Sequence, residues 1–127
     1  ARYLRSGLID DRAYAAQKAA SLQRRGASRF GIKGKLRQKG VEGALIDVAL
    51  QGLEEQGGSA SELASACALV RRRRLGPYRE KSKRKALRDK DLAALSRAGF
   101  GFEVARRVLD APDIAAVEKL ARGKAEE

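Results

Sequence analysis

The residues with the most chemistry to offer in this chain are its cations, and they come in two blocks. Residues 24–39 hold seven basic side chains (Arg24, Arg25, Arg29, Lys33, Lys35, Arg37 and Lys39) and no acid. Residues 71–90 hold eleven, among them Arg71, Arg72, Arg73, Arg74, Lys81, Lys83, Arg84, Lys85 and Arg88, against Glu80 and Asp89. The blocks carry +7 and +9, and the rest of the chain −4, of the total charge of +12. Two local basic blocks on a slightly acidic frame make a binding footprint, for phosphates or for an acidic protein wall. The alternative is a helix face that is charged only because it is solvated.

Other chemistry is scarce. The chain has no histidine, so acid–base catalysis near neutral pH lacks its usual agent. Its single cysteine, Cys67, leaves no zinc set and no thiol nucleophile pair. Cys67 falls on an apolar helical stripe and reads as a small buried hydrophobe. Gly26 and Gly31 have the spacing of the two glycines of a phosphate-binding loop. Ile32 stands where lysine is required, however, and no strand precedes. Asp10 and Asp11 are explained by a helix start without a metal. The expectation is a protein that is not an enzyme, with no catalytic residue, metal or cofactor. No apolar stretch is long enough to span a membrane, and no segment resembles a signal peptide. One cysteine suits a reducing compartment, so a cytoplasmic location is expected; the chain is also expected to be a monomer. Tyr3 to Gly7 already read as the last turn of a helix, and the chain is expected to begin inside a longer protein.

The elements that must position the cations are helices. Ala, Leu, Arg and Lys are abundant and there are only two prolines. Gly7 is the natural stop of a helix end over residues 1–6. Apolar spacing predicts a helix over 11–25 on Ala15, Ala19 and Leu22, and one over 29–39 on Ile32 and Leu36, capped by Ser28. A third, over 42–55, rests on Ile46, Ala49, Leu50 and Leu53, and a fourth, over 60–74, on Leu63, Cys67 and Val70. Ser59 and Glu62 read as a capping box. The 29–39 helix is poor in its own right. Arg29, Lys33 and Arg37 form an i, i+4, i+8 row, and unrelieved like charges there cost about 0.2–0.5 kcal/mol per pair. Gly31 and Gly34 cost about 1 kcal/mol each relative to Ala. A partner explains its charge better than stability does. Residues 78–90 read equally as a mobile loop or as an extension of the next helix. Leu92 and Leu95 then lead to Gly99, and Phe100, Val104, Ala105, Val108 and Leu109 form the last wide apolar stripe. After a break at Ala111-Pro112, Ile114, Val117, Leu120 and Ala121 make a short amphipathic helix, fraying from Gly123.

One pattern occurs twice. Leu36, Gly40, Val41, Leu45, Ala49 and Leu50 recur 59 positions later as Leu95, Gly99, Phe100, Val104, Val108 and Leu109. Each set spells a helix end, a glycine corner and an apolar helix. Pairing Gly26 with Gly76 gives an offset of 50 earlier in the unit, so about nine extra residues are expected between Pro77 and Leu92. Repetition of this kind implies stacked helical units. The expected fold is all-α: tandem three-helix, helix-turn-helix-like repeats in an elongated, slightly curved body. The expected divisions are 1–7 (the end of a preceding repeat), 8–56 and 57–111 (one repeat each), and 112–127 (a short helix and tail).

Three segments also resemble a known family. Gly7-Leu8-Ile9-Asp10-Asp11-Arg12-Ala13-Tyr14-Ala15 resembles the G-x-I-D-D-x-x-Y-A segment of the bacterial RecX regulatory proteins. Leu36-Arg37-Gln38-Lys39-Gly40-Val41 is similar to their L-x-x-K-G-V/I, and Arg97-Ala98-Gly99-Phe100 to their R-R-G-F/Y, with Ala98 in place of the second arginine. The matches fall in the family's order. The resemblance implies three tandem three-helix repeats, of which this chain would hold the last helix of the first and the whole of the second and third. It implies binding to RecA filaments on single-stranded DNA, in the filament groove, with inhibition of ATPase, strand exchange and filament growth. The partners would be the filament and single-stranded, or also double-stranded, DNA. The competing expectation is a helix-turn-helix nucleic-acid binder with residues 29–39 as recognition helix. Only Gln38 on that helix offers an amide to a base edge, so its contacts would be mainly to phosphates.

Overall fold

The computed structural model describes residues 11–57 and 59–123, without the side chains of residues 57 and 59–61. The helix end over residues 1–6, its stop at Gly7, Asp10 and the tail beyond Gly123 lie outside the described residues, as does the Ser59 half of the capping box. The helices are α1 (Asp11–Arg24), α2 (Arg29–Gln38), α3 (Gly43–Gly57), α4 (Ser59–Arg73), α5 (Lys81–Arg84), α6 (Arg88–Arg97), α7 (Phe102–Leu109) and α8 (Ile114–Ala121). A 3-10 turn, Gly76–Tyr78, lies between α4 and α5. No strand occurs among the described residues. The fold is all-α, with α1–α3 echoed by α4, α6 and α7.

The two hinges are built alike. Gly40 has φ +85° and Gly99 φ +102°, a left-handed conformation that glycine adopts without a Cβ clash. The Val41 amide donates back to the Leu36 carbonyl at 3.1 Å, and the Phe100 amide to that of Leu95 at 3.1 Å. The Gly40 and Gly99 amides donate to Arg37 and Ser96. Both ends are Schellman closures. Val41 and Phe100 are then turned into their cores.

The pairing of Gly26 with Gly76 is corrected by the structure. The closure after α1 runs from the Ala27 amide to the Leu22 carbonyl, with Gly26 at φ +99°. Its counterpart after α4 runs from the Leu75 amide to the Val70 carbonyl, with Arg74 at φ +59°. Arg74, not Gly76, therefore occupies the place of Gly26. The stripes Ala15–Ala19–Leu22 and Leu63–Cys67–Val70 agree on that offset of 48. Against 59 at the hinge, the second unit carries eleven extra residues rather than nine.

Those residues are ordered, and they are neither loop nor helix extension. They form the 3-10 turn, the single-turn helix α5 and the turn before α6. Two arginines hold them down. Arg79 reaches the buried Asp91 of α6, with Nε and Nη2 each donating at 2.8 Å. Arg84 donates to the carbonyls of Leu109, Ala111 and Pro112 at 3.0, 2.7 and 2.9 Å. It thereby satisfies carbonyls that the end of α7 leaves open.

Each unit has its own core. Ala15, Ala19, Leu22, Ile32, Leu36, Val41, Ile46, Ala49, Leu50 and Leu53 form one cluster. The other joins Leu63, Ala66, Cys67, Val70, Leu95, Phe100, Ala105, Val108 and Leu109 to Val117 of α8. Cys67 is buried as expected, and burial pushes its thiol up to about 11. Helix α8 is thus packed on the unit before it. Val104, expected in the stripe, is only half-buried, and Val48 on α3 is exposed.

Candidate functional site

The helix that positions the cations is α4, because it has two working faces. Leu63, Ala66, Cys67 and Val70 point into its own unit. Glu62, Ser65, Leu69 and Arg72 recur three or four residues apart on another side, the spacing of one helix face, and meet the preceding unit. The Glu62 carboxylate accepts from the Arg29 amide at the start of α2, at 3.2 and 3.4 Å. Glu62, half of the expected capping box, faces the N-terminal end of another helix, where a negative charge is favoured. Burial raises its pKa, while the Arg29 amide and charge oppose that rise. Ser65 Oγ donates to the Gln23 carbonyl at 3.2 Å, and Arg72 Nη1 to that of Arg25 at 3.1 Å. Leu69 lies against Gly26, where an added Cβ would come within 3.0 Å of its backbone. The hinge of the second unit closes the seam from the other end. Buried Ser28 accepts from Gly31 at 3.0 Å as the cap of α2 and donates to the Ala98 carbonyl at 2.5 Å.

Along this seam lies a cleft of about 420 Å³, lined by Lys18, Arg25, Lys35, Lys39 and Arg72 around Leu22, Gly26, Ala27 and Leu69. It draws cations from both basic blocks. Four of the five were expected in a binding surface, and Lys18 was not. In sequence Lys18 is an isolated charge in an alanine-rich helix; the packing of α1 on α2 brings it to Lys35 and Lys39, and the packing of α1 on α4 brings it to Arg72.

A second cleft, about 370 Å³, lies over the extra residues and is lined by Lys81, Arg84, Lys85, Arg88, Gly76, Leu109, Asp91 and Asp110. Here the two arginines have partners. Arg84 holds the α7 carbonyls, and Arg88 Nη2 lies 2.9 Å from Asp110. Arg79 and Asp91 escaped the sequence reading. Burial would raise the Asp91 carboxyl, but bonds from Arg79 and the Gly76 amide, with the guanidinium charge, hold it below the usual range.

The other expected site residues divide. Arg29 is engaged by Glu54 and by the Leu50 carbonyl of α3. At 3.6 residues per turn, Lys33 and Arg37 continue that flank of α2, exposed, while Lys35 and Lys39 stand on the opposite flank at the cleft. Arg24, Arg71, Arg73, Arg74 and Lys83 are exposed, Lys83 lying 3.8 Å from Glu80.

The family model described as RecX, second three-helix domain, matches residues 10–50. The regulatory protein RecX of Myxococcus xanthus is 41% identical over 111 residues, 87% of this chain and 58% of that protein. That of Agrobacterium fabrum is 35% identical over 101 residues, 80% of this chain and 51% of that protein. The chain belongs to the RecX family. A third RecX, from Streptococcus mutans, is 33% identical over 85 residues, 67% of this chain and 30% of that protein. The chain spans about half the length of the first two RecX proteins it matches. No solved structure matches it. The RecX-like segments fall at structural joints: Asp11 opens α1, Lys39-Gly40-Val41 closes α2, and Gly99-Phe100 closes α6. No described helix is long and apolar enough to cross a membrane.

Proposed function

We propose that this chain binds RecA filaments on single-stranded DNA, in the filament groove, and slows their ATP hydrolysis, strand exchange and growth. Family membership supplies the partner. The observation that carries the physical case is the seam, where cations from two successive units gather in one cleft. Exposed cations on both units allow contact with a repeating partner at more than one place. Linked contacts multiply through effective concentration. A ligand that bridges protomers favours one filament geometry over the cycle that hydrolysis requires. The test is RecA ATPase on single-stranded DNA, titrated with this chain and with a variant carrying Glu at Lys35, Lys39, Arg71 and Arg73. These four are exposed and make no side-chain hydrogen bond or ion pair among the described residues, so the fold should survive. Inhibition by the wild type, weakened more than about tenfold in the variant, is expected. Unchanged hydrolysis at saturating wild-type protein refutes the regulator reading.

A further inference from the structure

The seam cleft has walls and a floor of different chemistry. Lys18, Arg25, Lys35, Lys39 and Arg72 surround it, and Leu22, Ala27 and Leu69 lie between them. No carboxylate lines it. Lys35 and Lys39 make no ion pair among the described residues. Five cations gathered without a counter-ion repel one another, which folding alone does not favour. We propose that this cleft takes one nucleotide unit of a single nucleic-acid strand, with its phosphates on Lys35, Lys39 and Lys18 and its base or sugar on the Leu22–Ala27–Leu69 floor. The proposal rests on the nucleic-acid part of the function proposed above.

Three features support it. The volume, about 420 Å³, falls in the range of small-ligand sites, roughly 300–1,000 Å³, and exceeds what one phosphate fills. The ligand is then an anion with an uncharged body attached. Next, three of the five cations are lysines, and the Arg72 guanidinium is partly committed to the Arg25 carbonyl. A compact ammonium serves phosphate as a point charge, with no bidentate geometry to satisfy. The lysines therefore suit the phosphates of a strand that lies along the cleft. Finally, the floor is apolar. In a duplex the bases are stacked inside and phosphates meet the protein first; in a single strand the base faces are free to lie on apolar surface. The floor therefore selects a single strand.

The test uses the whole chain and no RecA. Binding of a short, labelled oligothymidylate is followed by fluorescence anisotropy across a salt series. Two variants of equal charge loss are compared: Lys35→Gln with Lys39→Gln at the cleft, and Lys33→Gln with Arg37→Gln on the other flank of α2. Circular dichroism checks that each melts as the wild type does. The cleft pair should weaken binding about tenfold or more and reduce the salt slope by about 1.4, two single-strand phosphate contacts at about 0.7 each. The flank pair should do less than half of this. The matching duplex should bind more weakly at the same salt. Equal losses from the two pairs would overturn the proposal, as would duplex binding as tight as single-strand binding. Polyglutamate that displaces the oligonucleotide and depends on Lys35 and Lys39 would point to an acidic protein instead. ATP that binds as tightly as the strand would make the occupant a free nucleotide. Because RecA is absent, oligonucleotide binding with unaltered RecA ATPase would refute the regulator reading and leave the cleft assignment standing.

Discussion

Replacing Asp91 by Asn should cost about 2–3 kcal/mol, and the reason lies in what it leaves behind. The Asp91 side chain is 1% exposed and accepts two guanidinium bonds at 2.8 Å and the Gly76 amide at 2.9 Å. Asn keeps one oxygen but turns an amide N–H₂ toward the donors. Removing one partner of a buried pair typically costs about 3–5 kcal/mol, because the other charge stays buried alone. Arg79 is 22% exposed and can turn partly to water, which lowers the figure. Urea unfolding followed by circular dichroism, compared at equal m-value, measures the loss. The double variant Arg79→Met with Asp91→Asn should lose less than Asp91→Asn alone, since no charge remains buried and the Asn oxygen can still accept from the Gly76 amide. The pH dependence gives a second check. A carboxyl lowered in the folded state stabilises above its unfolded value, and that stability is lost as pH falls through the lower folded value. The Asn variant should lack this acid-side loss. A cost below about half a kilocalorie, or a double variant worse than the single, would refute the view that this pair anchors the extra residues.

At the hinge, Gly99→Ala would set a Cβ 2.5 Å from Ser28 Oγ and 2.8 Å from Phe30 Cβ at φ +102°, and should cost about 2–4 kcal/mol of unfolding free energy. Gly101→Ala, which meets nothing within 4 Å, should cost under about 1 kcal/mol in the same urea titration. Arg74→Gly should raise stability by about 0.5–1 kcal/mol, visible as a higher Tm, because it relieves a left-handed non-glycine residue. Glu62→Gln should flatten the stability profile between neutral pH and the ordinary glutamate range. A carboxyl raised in the folded state makes the wild type more stable as pH falls through that raised value, whereas Gln cannot titrate and still accepts from the Arg29 amide.

The sequence by itself determined the helices, their apolar stripes and the two glycine hinges. Those features are set within a turn or two of chain. A stripe such as Ala15–Ala19–Leu22 is written in the spacing, and Gly40 and Gly99 are needed wherever the chain turns left-handed between two helices. Ser28 was legible as a cap because a cap reaches only three residues. The match between α1 and α4 was misplaced because Arg74 stands in a conformation where glycine was sought, and a side chain there leaves no mark in the sequence. Only the tertiary structure decided what each cation does. Arg72 and Arg84 hold carbonyls 47 and 25–28 residues away, and Arg79 holds a buried acid. In the sequence they look like their neighbours Arg73, Lys83 and Lys85. Which arginine meets a helix end depends on how α4 packs against α1 and how the eleven extra residues fold back on α7. The cleft exists for the same reason. Lys18, Lys35 and Arg72 sit on three different helices, and only the packing of α1 on α2, and of both on α4, brings like charges together around an apolar floor.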